Sequence, residues 1–252
     1  MDNIARALRA VGINAVRFYN RHEVSVSEPI PDEPVLFVAN HGFGGIIDLN
    51  VVAFAAAYDK IGLDREVITL THQIAWTLHA DKLVEPFGAR PADTQSALDA
   101  FEEGHNVLVF PGGDLDALKS WKQRNEILFC GRTGYARLAL EAGVPIVPVV
   151  TAGAGESLLV LSSGNRLAAA LRLDKALRLK ALPLSVSLPW GINLGLVGLL
   201  PYLPLPTKLD TSVLPPMRPR PDESAQNFAE RVHKAMQLEL DSLTKNRRPV
   251  IG

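Results

Sequence analysis

A single cysteine, Cys130, among 252 residues rules out an internal disulfide framework and any multi-cysteine zinc site. Cys130 therefore reads as a buried small hydrophobe rather than a nucleophile. Surplus charge is missing too. The formal net charge is −1, which excludes the strongly basic balance of a general nucleic-acid binder. The N-terminus alternates Arg6, Arg9 and Arg17 with apolar residues and has no long uncharged run of the secretory type, so an intracellular protein is expected. There is no internal repeat and no low-complexity linker. A Gly-x-Ser-x-Gly elbow is absent, and Ser162-Ser163-Gly164 does not supply one, which removes an α/β hydrolase. What remains is a chain long enough to bury one large core.

The middle of the chain alternates strand and helix. Apolar runs at Val35–Ala39, Val67–Leu70, Asn106–Phe110 and Pro145–Val150 read as strands, with helical patterns between them. Thr94 is the expected N-cap of a helix ending near Gly104, and a helix from about Thr133 stops at Gly143. A further strand is expected over Thr207–Leu214, a helix over 224–243, and a loose tail beyond. This alternation predicts one α/β domain with a mostly parallel central sheet flanked by helices. Its parts are an N-terminal amphipathic helix over 1–22, the main domain over 23–245 and a C-terminal tail over 246–252.

In such sheets, sites gather at the carboxyl ends of strands. His41, Pro111-Gly112-Gly113 and Thr151-Ala152-Gly153 all follow strands directly. Asn40-His41 enters a loop rich in glycine (Gly42, Gly44, Gly45), with Asp48 seven residues beyond the His. An imidazole can take a proton from a hydroxyl near neutral pH, and a carboxylate can fix its tautomer. A hydrogen-bonded histidine in a tight turn is the structural alternative. The glycines at 112 and 113 allow close approach to backbone N–H groups, which can hold an oxyanion or a phosphate. No Gly-Lys-Ser/Thr follows, so this is not a P-loop. Downstream lies a dense polar cluster that includes Asp114, Asp116 and Lys119, in which most long side chains are expected to be solvated. Arg132 and Arg137 flank Gly134-Tyr135 and can clamp phosphates, as can Arg90 in Phe87-Gly88-Ala89-Arg90.

Three segments bear on membranes. Over residues 3–19, Ile4, Leu8, Val11, Ala15, Phe18 and Tyr19 share one helical face opposite Arg6, Arg9 and Arg17, while Ile13 and Val16 break the pattern. Such a helix either docks on the core or lies at an anionic lipid surface. Residues 164–180 carry Arg166, Arg172, Lys175, Arg178 and Lys180 against Asp174 alone. Ala181–Thr207 has no charged side chain, but Pro183, Pro189, Pro201, Pro204 and Pro206 prevent one continuous spanning helix. A buried strand followed by a short apolar helix or loop is expected there, either at a lipid surface or in the core.

Four blocks occur in order: Asn40-His41 after a strand, Gly88-Ala89-Arg90, Phe110-Pro111-Gly112-Gly113, and Val144-Pro145-Ile146-Val147-Pro148-Val149. On these the chain resembles the glycerolipid (lysophosphatidate-type) acyltransferase family over roughly residues 20–155. The family places its acid five positions after the His, where this chain has Ile46, and Glu where it has Gly112. The diacylglycerol acyltransferase-like and phytyl-ester-synthase-like branch has Phe-Pro-Gly-Gly, a wider His-to-Asp spacing and an acid after the glycines, matched here by Asp116. The resemblance implies an O-acyltransferase with His41 and Asp48 as catalytic pair. It implies Asn40, Arg90, Pro111, Gly112, Gly113, Asp116, Arg132 and Arg137 as substrate-binding residues, and neither metal nor cofactor. The implied partners are acyl-CoA or acyl-carrier protein as donor, a lipid acceptor and the cytoplasmic face of a membrane, held peripherally. The resemblance to that branch implies a neutral lipid alcohol, rather than a lysophospholipid, as the acceptor. A non-catalytic lipid-binding protein of the same fold is the rival reading.

Overall fold

Buried apolar strands form the middle layer, as the sequence pattern requires. The computed structural model describes residues 3–43, 48–71, 81–171, 182–195 and 202–252. Helix α1 (Asn3–Phe18) leads to β1 (Glu23–Val26), β2 (Leu36–Ala39), α2 (Leu49–Ile61), β3 (Val67–Thr71), the short α3 (Asp81–Val84) and β4 (Ala89–Pro91). Then come α4 (Thr94–Glu102), β5 (Asn106–Val109), α5 (Gly113–Ala117), α6 (Gly134–Ala142), β6 (Ile146–Ala152), β7 (Leu159–Ser162) and α7 (Asn165–Ala170). The chain closes with β8 (Leu184–Ser187), β9 (Gly191–Leu194), β10 (Asp210–Val213) and α8 (Ala225–Thr244). Gly44, Gly45, Ile46, the cations Arg172, Lys175, Arg178 and Lys180, and residues 196–201 of the uncharged stretch lie outside the described residues.

Seven strands make one sheet in the order β1-β10-β6-β2-β5-β3-β4. Strands β6, β2, β5, β3 and β4 run parallel, and β10 opposes β6. Side chains alternate across this sheet. Leu36 and Val38 pack with α4, α6 and α8 on one face, whereas Phe37 and Ala39 pack with Phe54 and Tyr58 of α2 on the other. The architecture is therefore the expected single α/β domain, with four strands where the apolar runs place them. Asp93, not Thr94, caps α4: its carboxylate accepts from the Ser96 N–H at 2.8 Å. The last strand is shorter than Thr207–Leu214, because the N–H of Lys208 bonds Val250 and that of Leu209 bonds Asn20. Cys130 is exposed rather than buried. Among the described residues, no helix is long and apolar enough to cross a membrane.

Helix α1 packs the other way round from its hydrophobic stripe. Ala5 is buried, Ile13 and Val16 are buried against α2, and Ile4, Leu8, Val11 and Phe18 are exposed. Two of the arginines serve the α2 contact, Arg9 donating to Ala55 O and Arg17 pairing with Asp59.

The C-terminal segment is pinned, not loose. The Arg247 side chain, 3% exposed, forks onto Glu156 (2.8 and 3.2 Å) and bonds Asp210 at 2.8 Å, while the Val250 N–H donates to Glu156. Lysine keeps the charge but cannot reproduce the fork. Arg247→Lys is expected to lower stability by roughly 1.5–3 kcal/mol, the scale of one charged hydrogen bond, as measured by urea unfolding.

His22 ties β1 to β10 through Thr211 Oγ1 at 2.8 Å. Burial lowers its pKa to about 4, with Arg17 and Lys60 adding to the shift against Asp210. Between that value and the unfolded 6.5, the unfolded chain binds the extra proton. The neutral imidazole therefore contributes stability fully above pH 6.5 and loses it as pH falls towards 4. A loss on the order of 3 kcal/mol is expected across that window. The same urea titration on His22→Gln should lack this component of the slope.

Candidate active site

Strands β5, β2 and β6 are adjacent and parallel, so the loops that follow them meet at one edge of the sheet. The phenyl ring of Phe110, after β5, stacks on the His41 imidazole at 4.4 Å between centroids. Asn40, after β2, closes a two-bond clamp on Thr151 of β6: its Nδ2 donates to Thr151 O and its Oδ1 accepts from Thr151 N. Gly42 lies so close to Ala154 that a Cβ there would come within 2.4 Å of the alanine Cβ. The convergence expected from strand ends is realised.

His41 Nδ1 lies 2.7 Å from Asp48 Oδ2. The other carboxylate oxygen of Asp48 accepts from Asn50 N at 2.8 Å, so Asp48 is also the N-cap of α2. One carboxylate thus starts a helix and orients a ring, which gives the seven-residue spacing a structural cause. The Asn50 amide completes the turn by donating to Asn40 O. Both side chains of the pair are largely shielded, 14% and 11% exposed. Among the described residues Nε2 makes no hydrogen bond, so with Nδ1 protonated towards Asp48 it is the nitrogen free to accept a proton.

The main chain of His41 is gripped from both sides. Its N–H donates to Asp116 Oδ2 at 2.8 Å, and its C=O accepts from Lys119 Nζ at 2.9 Å. Asp116 and Lys119 pair at 2.7 Å with almost no exposure. Asp116 Oδ1 also accepts from Leu128 N, and Lys119 donates to Glu126 O, so neither buried charge is left with a single contact. This corrects the expectation of a solvated polar cluster. Lys119 was not among the expected site residues, although its i,i+3 spacing from Asp116 on a helical turn was a usable signal.

The remaining expected contacts divide. Asn40 is 3% exposed and bonded to Thr151, so it holds two strands together. Gly112 is required by Asp116, whose Cβ would sit 2.2 Å from an added Cβ, and Gly113 (φ +51°) by Arg132 Nη1 at 2.6 Å. Their small size makes room for the protein's own side chains. Pro111 is buried and its C=O accepts from Arg132 at 2.8 Å; Arg132 also reaches Asp114. Arg132 is therefore brought to the glycine loop. Arg137 is exposed on α6 and makes no hydrogen bond or ion pair among the described residues. Arg90 is on β4, three strands away from β2, with its guanidinium on both oxygens of Glu103, so it is not brought to His41.

Behind the loop, Phe43 meets Tyr202 edge-on and packs with Leu158 and Val160. Burial pushes the Tyr202 phenol up, partly offset by the neighbouring Ser157 side chain.

The family model described as Acyltransferase matches residues 21–152. This chain belongs to the Acyltransferase family. The matched span contains His41, Asp48 and the Asp116–Lys119 pair. Relatives include the mouse "DGAT1/2-independent enzyme synthesizing storage lipids", 26% identical over 88% of this chain and 60% of that protein. A chloroplastic phytyl ester synthase 1 of Arabidopsis thaliana is 26% identical over 49% of this chain and 18% of its own length. An uncharacterized Mycobacterium bovis protein is 30% identical over 75% of this chain and 49% of its own. The chain spans 42% of the chicken protein that carries the storage-lipid name. In fold it is similar to the 1-acyl-sn-glycerophosphate (LPA) acyltransferase PlsC of Thermotoga maritima, with a TM-score of 0.58 over 97% of this chain and 81% of that one at 14% identity.

Proposed function

We propose that this Acyltransferase chain moves a fatty acyl group from a thioester donor, acyl-CoA or acyl-carrier protein, to the hydroxyl of a lipid alcohol. The carrying observation is the 2.7 Å contact of His41 Nδ1 with Asp48 beside an open Nε2. Nε2 takes the acceptor hydroxyl's proton, and the oxygen forms a bond to the thioester carbonyl carbon. The tetrahedral oxyanion then collapses, the C–S bond breaks, and the thiolate leaves with the proton from the imidazolium, giving ester and free thiol. His41 returns to its starting state without a covalent acyl-enzyme. Since Gly113 N–H is spent on Phe110 O, Gly112 N–H is the loop donor assigned to the oxyanion.

A neutral acceptor, such as a diacylglycerol-like or long-chain alcohol, is supported by the state of two of the three candidate cations. Arg90, on a distant strand, is neutralised by Glu103, and Arg132 is engaged with Pro111 and Asp114. The names of the relatives, storage-lipid enzyme and phytyl ester synthase, point the same way. The altered His-to-Asp spacing is the best support for the rival non-catalytic reading, and the 2.7 Å contact across that spacing favours catalysis.

The test is incubation with labelled acyl-CoA or acyl-carrier protein and a panel of lipid alcohols and lysophospholipids, followed by lipid analysis. Ester formed on a neutral alcohol is the expected result. No ester from either donor with any acceptor would return the chain to the lipid-binding reading.

A further inference from the structure

A second buried ion pair reaches the catalytic loop through Ala154. A Cβ on Gly42 would collide with Ala154 and would lie 2.8 Å from Asn50 Oδ1. Gly42, next in sequence to His41, is therefore wedged between the turn after β6 and the first turn of α2. Ala154 is also part of the apolar cluster that holds Leu49 and Ala53 of α2, and Leu49 directly follows Asp48. It thus packs beside the sequence neighbours of both His41 and Asp48. The grip of Asp116 and Lys119 acts on the His41 main chain, and neither is bonded to Asp48 among the described residues.

Ala154 lies in a single helical turn, Ala154–Glu156. The Glu156 N–H donates to Gly153 O at 2.9 Å and the Ser157 N–H to Ala154 O at 3.1 Å. Gly153 has φ +95°, and a Cβ there would collide with Lys208 O and Arg247 Nη2, so the guanidinium is seated on the turn. Glu156, 1% exposed, accepts from three donors of one segment: Arg247 Nε, Arg247 Nη2 and the Val250 N–H. Arg247 Nη1 extends the tie to Asp210, which faces Ala152 across the β10–β6 register. A buried ion pair is a weak source of net stability, because desolvation of both charges offsets much of their attraction. What the planar fork adds is direction. The direction it sets here is that of the turn bearing Ala154.

We propose that Arg247 is a positioning residue for acyl transfer: through Glu156 it holds Ala154 against Gly42, and so keeps the His41 ring in register with Asp48. It touches neither the ring nor a substrate. The role rests on the acyl-transfer reading of the His41–Asp48 pair, but the geometry it controls is measured without turnover.

The experiment records the ring-nitrogen NMR shifts of His41, which report the tautomer that Asp48 holds, beside steady-state kinetics of the full chain. His41→Ala assigns the signals. Arg247→Lys and Glu156→Gln each loosen the fork from one end while keeping size and polarity. Arg231→Lys is the control. Arg231 makes the same kind of fork on Glu223, but it also bonds Arg218 O, next to Met217, which bridges to Ile146 at the opposite end of β6. Thermal melts set a working temperature at which every variant is folded. Arg247→Lys and Glu156→Gln should move the His41 shifts towards a tautomer mixture. They should lower kcat about tenfold, within the roughly 10²-fold cost of a displacement near 1 Å, with KM for donor and acceptor unchanged. Arg231→Lys should leave shifts and kcat as in wild type. Unmoved His41 shifts or a wild-type kcat in either folded variant overturns the positioning role, as does an equal fall in Arg231→Lys. Wild-type protein that transfers no acyl group defeats the acyl-transfer reading instead, and the His41 shifts alone then decide whether Arg247 sets the pair.

Discussion

Replacing His41 with alanine is expected to lower acyl transfer by about 10²–10⁴-fold, the contribution of a positioned general base, with little change in the affinity for either substrate. The fold should persist, because the grip on this residue is on its main chain: Asp116 holds the N–H and Lys119 the C=O, and alanine retains both. The ring itself contacts Asp48 and Phe110. Asp48→Asn is the companion variant. Asparagine caps a helix as well as aspartate does, so the start of α2 is preserved while the stabilised imidazolium is lost. It should depress kcat at an unchanged melting temperature. Steady-state kinetics with any donor that supports wild-type turnover provide the check. His41→Ala at near wild-type rate would remove the imidazole from the mechanism.

Lys119→Met should cost about 3–5 kcal/mol, the penalty for leaving a buried carboxylate without its counter-charge. Lys119 and Asp116 have only 2% and 0% side-chain exposure, so water cannot replace the missing ammonium without rearrangement. The same substitution frees His41 O and Glu126 O, so kcat should fall as the catalytic loop loses its anchor. Adding Asp116→Asn to Lys119→Met removes the stranded charge and keeps an oxygen for the His41 N–H. The double variant should recover part of the stability. Urea unfolding of the two singles and the double closes the cycle. A Lys119→Met protein as stable as wild type would show that the pair is not the anchor.

The strands around the site were legible because their signal is local. Val35–Ala39 and Pro145–Val150 are continuous apolar runs, as expected for strands covered on both faces, and glycine loops end them. Four short blocks in order were sufficient for the family, and His41 stood out by following a strand directly. The reach of Asp48 followed from a capping geometry that a linear spacing rule does not contain. Arg90 shows the opposite case: its block is near His41 in chain order, but the order β2-β5-β3-β4 separates them.

The amino-acid sequence by itself determined the α/β class, the strand that delivers His41, the family and the absence of any multi-cysteine site. Each of these depends on residue type and short spacing. The sequence also named Asp48 as the partner of His41, but tertiary structure alone decided that Asp116 grips the His41 main chain, because that contact forms only when the loops after β2 and β5 are closed in space. It also decided that the Lys119 and Arg247 side chains are buried while Leu8 and Ile192 are exposed. Burial depends on what the other elements cover. The amphipathic pattern of α1 named an apolar stripe, but α2 offered its packing surface to Ile13 and Val16, and the stripe was left facing outward.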